Sequence, residues 1–275
     1  MEIGNNSQLN NNIYSNANQA LNRIATGLEI NQASDDPSGL SILNNLQVQS
    51  SGLTQAIENS NSAVALTQIA DSALSRQSTI LDDVKEKLLQ ASTDTTSQQG
   101  REAILQDIQG QLRQLNDVAS QTNYNGQTFL QNASDDSSAS QTLQFQASSE
   151  NGTPIETTSI QSNTQGLDLE GLLNQDPATF DSASARSFLE NVDNAINTVS
   201  NNRSEFAAVQ NQLDSSTRNL LNQRDSTLNA ASVFNTNFAA ETANFSKQNI
   251  LAQVGAFGAA QSNNINQSIV TRLLS

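Results

Sequence analysis

Residues 192–220 read VDNAINTVSNNRSEFAAVQNQLDSSTRNL, and within them Val192, Val199, Phe206, Leu213 and Leu220 fall at an unbroken interval of seven, with Ile196 and Val209 alongside. An α-helix turns once every 3.6 residues. A seven-residue repeat held this long therefore keeps one narrow apolar seam only if the helix wraps, left-handed, against other helices. The segment predicts a long helix that needs helical partners.

The first half supplies them. After Ser50-Ser51-Gly52, Leu74, Leu81 and Leu88 recur by sevens with Ala70 and Val84 between them, predicting a helix from about 50 to 91. The run TDTTSQQG at 93–100 reads as a break. Beyond it Ile104, Ile108, Leu112, Leu115 and Val118 mark one face of a second helix, able to fold back antiparallel on the first. The three prolines are Pro37, Pro154 and Pro177, so 38–153 and 178–275 lack the strongest helix breaker. Asp35-Asp36 before Pro37 reads as a helix cap rather than a shared-proton pair.

Between the halves the period changes to two. Asn-Gly at 125–126 and 151–152 are turn signals, and Leu143, Phe145 and Ala147 alternate on one side of the second, Ile155 and Thr157 on the other. Residues 141–161 are expected to form a small hairpin, and the Ser/Asp-rich 132–140 before it a solvated loop. The chain ends are weakly amphipathic. Ile13, Leu21, Ile24 and Leu28 follow the helical period near the start. Phe238, Phe245, Ala252 and Ala259 recur by sevens near the end, with Ile250, Leu251, Val254, Phe257, Ile265, Ile269 and Leu273 close by. Asn and Thr are poor helix formers, so these ends fold only when packed against something.

Composition narrows the function. Of 275 residues only 35% are hydrophobic and 4% aromatic, too little apolar area for a thick core. A net charge of -15 repels phosphate backbones and anionic headgroups, which argues against nucleic acid and membrane partners. There is no His and no Cys, so the commonest general base, thiolate nucleophiles and the usual zinc ligands are missing, and an HExxH insertion is impossible. No phosphate loop or nucleophile elbow is present, and no cofactor or metal is implied. The N-terminus MEIGNNSQLNNNIY lacks the basic and apolar regions of a cleaved signal peptide, and no stretch is long and apolar enough to span a bilayer. Export, if it occurs, uses another route.

The sequence resembles bacterial flagellin. The motifs are ATGLEINQASDDPSGL at 25–40, GLTQA at 52–56, QTNYNG at 121–126, VSNNRSEF at 199–206, ETANFSKQNIL at 241–251 and RLLS at 272–275. They stand in order over about four fifths of the chain. The resemblance implies a mainly α fold of long antiparallel helices in a coiled-coil or bundle arrangement, with a small β-hairpin and paired N- and C-terminal helices. It places an inner terminal coiled-coil domain at 1–36 plus 235–275 and an outer helical domain at 37–234, with the hairpin region at about 130–184. The large surface domains of longer members are absent. Two departures stand out: Asn235-Thr-Asn237 replaces the acidic residues common before Phe238, and the first residues are short and rich in Asn.

The function implied is a non-enzymatic subunit that polymerises into the flagellar filament for motility. It is exported unfolded through the flagellar type III route without signal cleavage and is extracellular. Expected partners are copies of itself, an export chaperone covering 235–275, the filament cap and hook-filament junction proteins. A junction protein and a soluble coiled-coil adaptor remain as alternatives. The segment through which toll-like receptor 5 senses such proteins carries Asp83, Lys87 and Asp107 in place of Arg, Leu and Glu, so weak or no activation is expected. Asp83 and Lys87 are also an ordinary acid-to-base pair four apart on a helix. Glycan is plausible in 132–164, with Ser134, Ser137, Ser138 and Ser140 as acceptors. The N-glycosylation triplets at Asn132 and Asn202 are too short to weigh in an Asn/Ser-rich chain.

Overall fold

A computed structural model describes residues 3–148 and 152–274, with side chains described from residue 11 onward except at 263, 266, 270, 273 and 274. In chain order come α1 (Ile3–Thr26), α2 (Pro37–Ala91), α3 (Gln98–Gln121), β1 (Asn123–Tyr124), β2 (Gln127–Thr128), β3 (Gln144–Phe145), β4 (Ile155–Glu156), the short α4 (Glu170–Leu173), a 3-10 turn at Pro177–Thr179, α5 (Ser182–Ser232) and α6 (Phe238–Leu274). The mainly helical class read from the sequence is the class observed.

The chain divides into a middle unit, Gly52–Arg224, and a terminal unit of Met1–Ser51 with Asp225–Ser275. In the middle unit the predicted seams form the core. Val192, Val199, Phe206, Leu213 and Leu220 from α5 and Leu74, Leu81 and Leu88 from α2 are all buried. From α3, Ile108, Leu112 and Leu115 join them, with Leu105 and Ala119 inside where the sequence pointed to Ile104 and Val118, which are only partly buried. A shift of one residue on a helix rotates the buried stripe by about 100°, so the true face lies between the two readings.

α2 starts at Pro37, well before the expected position near residue 50. Asp36 caps it, its side chain accepting from the Ser38 N–H at 3.0 Å, and Pro37 at the first helical position loses no bond that was available to it. Ser50-Ser51-Gly52 then passes through as helix. Gly costs about 1 kcal/mol in a helix interior, and the packing of the buried Leu53, Ala56 and Ile57 against Leu220 one turn on offsets it. Ser97 caps α3, accepting from the Gly100 N–H. Asp181 caps α5, accepting from Ser184 N–H at 2.7 Å.

Both turn signals bear on the connecting segment. Asn125 and Gly126 take positive φ (52° and 80°), the pair of left-handed residues that a two-residue hairpin between β1 and β2 requires. The second hairpin is shorter than expected, with only Gln144↔Glu156 and Phe145↔Ile155 paired. Its apex at 149–151, including Asn151, lies outside the described residues. The alternation does what a period of two should: Phe145, Ala147 and Ile155 pack against Ala63, Val209 and Leu213. The remaining connection enters the core through Phe129, Leu130, Ile160, Leu167, Leu169, Leu172 and Phe180, none of which any periodicity marked. Amide side chains hold it there. Gln77, fully buried, donates to Leu115 O (3.2 Å) and Ser162 O (2.9 Å), and Asn116 exchanges bonds with the Thr164 N–H and hydroxyl.

In the terminal unit α1 packs along α6. Gly27 ends α1 at φ +72°, and a two-stranded bridge follows: Thr236 N–H donates to Gly27 O (2.9 Å), Glu29 N–H to Phe234 O (2.8 Å), with Leu28 opposite Asn235. Asn237 caps α6, its side-chain oxygen accepting from Ala240 N–H at 3.2 Å. The Asn that replaces an acid at this position therefore does the same capping work.

Candidate assembly surface

The residues singled out at the chain ends are placed differently from those in the middle. Ile13 and Ile24 on α1, and Leu28 in the bridge beyond it, are half-buried, Leu21 is exposed, and the residues buried on α1 are Ala17 and Ala20. On α6 Phe245 is half-buried, Phe238, Leu251 and Val254 are exposed, and Ala252 is buried. The Leu273 side chain lies outside the described residues. The large-residue seam expected between the ends is thus a small-residue one within a single chain. Alanines let the two backbones approach, and the bulky residues point elsewhere.

An ion pair fastens the two helices. Glu241, buried in the first turn of α6, meets Arg23 in the last turn of α1 at 3.7 Å. Each also sits at the helix end whose dipole favours its charge. Glu241 opens the motif at 241–251, but its pairing with Arg23 is visible only once the chain ends are brought together.

What remains uncovered is extensive. Among the described residues the terminal unit exposes Tyr14, Leu21, Ile42, Val48, Leu228, Val233, Phe238, Ile250, Leu251, Val254, Phe257, Ile265 and Ile269, with Val254 at 63% and Phe257 at 75%. Its buried apolar residues are Ala17, Ala20, Leu43 and Ala252. The apolar residues of α6 are spread around its circumference, interleaved with Asn, Gln, Ser and Thr, while α1 covers one side. The unit also carries few charges, with Arg23, Lys247 and Arg272 its only cations and most of the acids in the middle unit. A low-charge apolar face of this extent marks a surface made to pack against protein.

The other sites read from the sequence are in the middle unit. Asp83 is exposed; Lys87 pairs with Asp107 at 3.2 Å, joining α2 to α3. Ser134, Ser137 and Ser138 are exposed, and the Ser137 hydroxyl donates to Gln165 Oε1 at 2.9 Å. Ser140 is buried, its hydroxyl accepting from Ile160 N–H and its carbonyl from the Ser159 hydroxyl. That hydroxyl is not free to take a glycan in the folded chain. Among the described residues no cluster of acids is arranged to hold a metal, and no helix is long and apolar enough to cross a membrane.

A helical chain whose two ends pair, yet leave most of their apolar surface bare, belongs to the class of self-assembling structural subunits. Comparison with known proteins gives the family. The bacterial flagellin N-terminal helical region matches residues 1–135 and the bacterial flagellin C-terminal helical region matches 189–274. Flagellin of Listeria innocua is 30% identical over 266 residues, covering 93% of this chain and 91% of that one. Against flagellin B of Helicobacter pylori, 42% identical over 111 residues, the chain spans 22% of the relative's length. Among solved structures, Bacillus cereus flagellin aligns with a TM-score of 0.50 at 23% identity, over 59% of this chain and 88% of that one. A Vibrio parahaemolyticus protein described as flagellar hook-associated aligns with a TM-score of 0.57 at 13% identity, over 73% and 99%. The chain belongs to the bacterial flagellin family, whose members are structural proteins rather than enzymes.

Proposed function

We propose that this chain is the structural subunit of a flagellar filament, and that the terminal unit is its polymerising part. The observation that carries the reading is the bare apolar face of α1 and α6. In water the two helices bury mainly alanine against each other, which contributes little. Enclosed by neighbouring copies, each large side chain gains about 1.5–3 kcal/mol. Ordering of the ends is thereby coupled to addition of a subunit, and the free chain stays monomeric until it meets a filament end.

The finer parts of the reading follow the same logic. Residues 1–36 with 235–275 form the inner domain and 37–234 the outer one. The chain travels unfolded through the flagellar export route, where a shallow core and the absence of Cys are no handicap, and ends up outside the cell. An export chaperone covers the apolar 235–275 before secretion, and the filament cap and junction proteins meet the same surface afterwards. Asp83 in the open and Lys87 held by Asp107 present the wrong charges to toll-like receptor 5, so purified monomer activates receptor reporter cells weakly if at all. Ser134, Ser137 and Ser138 are the accessible acceptors for O-linked glycan.

The test is seeded growth viewed by electron microscopy. Full-length protein with short filament fragments is expected to elongate them, and protein lacking 235–275 is not. Failure of the full-length chain to elongate, alone or from seeds, overturns the reading in favour of a junction protein present in few copies.

A further inference from the structure

Among the described residues, asparagine is followed by glycine only in the turn between β1 and β2. Asn125 and Gly126 are both exposed, and a side chain added at Gly126 would meet nothing within 4 Å. The ladder there uses Asn123↔Thr128 and Tyr124↔Gln127, and neither the Asn125 side chain nor the Gly126 N–H bonds to any described residue. Other asparagines are differently placed. Asn31, Asn123, Asn132 and Asn163 each commit the side-chain amide to a carbonyl or carboxylate, and each precedes a residue with a side chain. Those inside α5 are followed by an N–H that the helix holds.

An exposed Asn-Gly pair carries its own reagents. The Gly126 nitrogen, having given its proton to hydroxide, attacks Asn125 Cγ; a C–N bond forms, the Cγ–Nδ2 bond breaks, and Nδ2 leaves as ammonia with a proton from water. Water then opens the cyclic imide at either carbonyl. Opening at Cγ gives aspartate, and opening at the main-chain carbonyl gives isoaspartate, whose backbone runs through the side chain. Ring closure makes a geometric demand: the imide holds φ near about +60° and ψ near about -120°, the values of the first central residue of a type II′ turn. Asn125 already has φ at 52°. Types I′ and II′ are the two turns that join strands through two residues. Rotating the single peptide plane between Asn125 and Gly126 therefore carries the nitrogen onto Cγ while the strands stay paired. The rotation reverses the sign of φ at Gly126, now 80°, which glycine tolerates in either sense. Tyr124 packed on the core and the buried Phe129 and Leu130 hold the flanks meanwhile.

We propose that Asn125-Gly126 is a self-modification site, at which the folded chain converts asparagine to aspartate and isoaspartate with release of ammonia. Isoaspartate adds an atom to the main chain of a turn whose length fixes the register, so the β1–β2 hairpin opens in the modified chain. The reaction needs no partner and stands apart from the filament reading.

The test holds folded protein in mildly alkaline buffer beside the urea-unfolded chain. Endoproteinase Asp-N excises 117–134, and electron-transfer fragmentation tells isoaspartate from aspartate. Position 125 is expected to gain about 1 Da. The gain should be at least about tenfold faster than at the asparagines of α5, which need local opening first. The Asn125→Gly variant, which suits both left-handed positions of the turn, shows no gain there. Amides of 123–128 exchange faster in aged wild-type protein and unchanged in the aged variant. An Asn125 that keeps its amide in the folded chain while the unfolded chain is converted overturns the site, as does conversion no faster than in α5. Unchanged exchange over 123–128 in isoaspartate-bearing chains overturns the opening of the hairpin.

Discussion

The middle and terminal units are built from similar polar, alanine-rich helices, yet they treat their large apolar residues in opposite ways. In the middle unit Leu, Ile, Val and Phe from α2, α3 and α5 are inside, and the connections between helices add Phe129 and Phe180 to the same core. In the terminal unit most large apolar residues are exposed or half-buried, and three of the four buried apolar residues described are alanines. The first arrangement satisfies itself within one chain. The second leaves its large side chains bare, and on the proposed filament reading other chains cover them. Burial, rather than helix content, therefore separates the two units.

The sharpest way to break this contrast is to truncate matched residues in the two units. Leu81→Ala, at a fully buried α2 position, is expected to destabilise the monomer by about 2–5 kcal/mol in chemical denaturation, combining lost transfer energy with a cavity. Gln77→Ala should cost about 1–3 kcal/mol by the same measurement, because the Leu115 and Ser162 carbonyls lose their buried donor. Asp181→Ala, which strips the cap of α5, should lower stability by less than either, with Asp181→Asn largely neutral. Phe257→Ser, on the exposed face of α6, is expected to leave monomer stability within about 0.5 kcal/mol while impairing seeded elongation. A large loss of monomer stability there would mean the face is already covered in the free chain.

Acid sharpens the same picture. The carboxyl of Asp181 is held below its ordinary range chiefly by the Ser184 N–H, that of Asp35 by the Asn31 N–H, and that of Asp136 by the Ser138 N–H. A folded value below the unfolded one means the ionised form stabilises the fold. That contribution is whole above the unfolded value of about 4 and disappears as the pH falls through the folded value. Thermal stability should be flat from neutrality to about pH 5 and decline below about pH 4, with Asp181→Asn showing a shallower decline.

Much of the fold was legible because repetition is a physical signal. The sevens in 192–220 and 74–88 admit one arrangement, and the structure buries every residue in them. The hairpin alternation was legible for the same reason. The early start of α2 was not, since Ser50-Ser51-Gly52 reads locally as a break and only the packing of Leu53 and Ile57 on Leu220 carries the helix through. Phe129, Leu167 and Phe180 lie in aperiodic connections, where burial depends on where amides such as Gln77 and Asn116 hold the chain. At the ends the period was visible, but its partner was not. Phe238, Leu251 and Val254 stay exposed within one chain, and Arg23 and Glu241 meet only after residues far apart in sequence are joined.

Hydrogen exchange followed by mass spectrometry on free protein and on filaments tests the central claim most directly. The account predicts that amides of α1 and α6 exchange rapidly in the free chain and become at least about a hundredfold slower in the filament, while those of residues 52–224 change little. Strong protection of α1 and α6 already present in the free chain, or none gained on polymerisation, would contradict it.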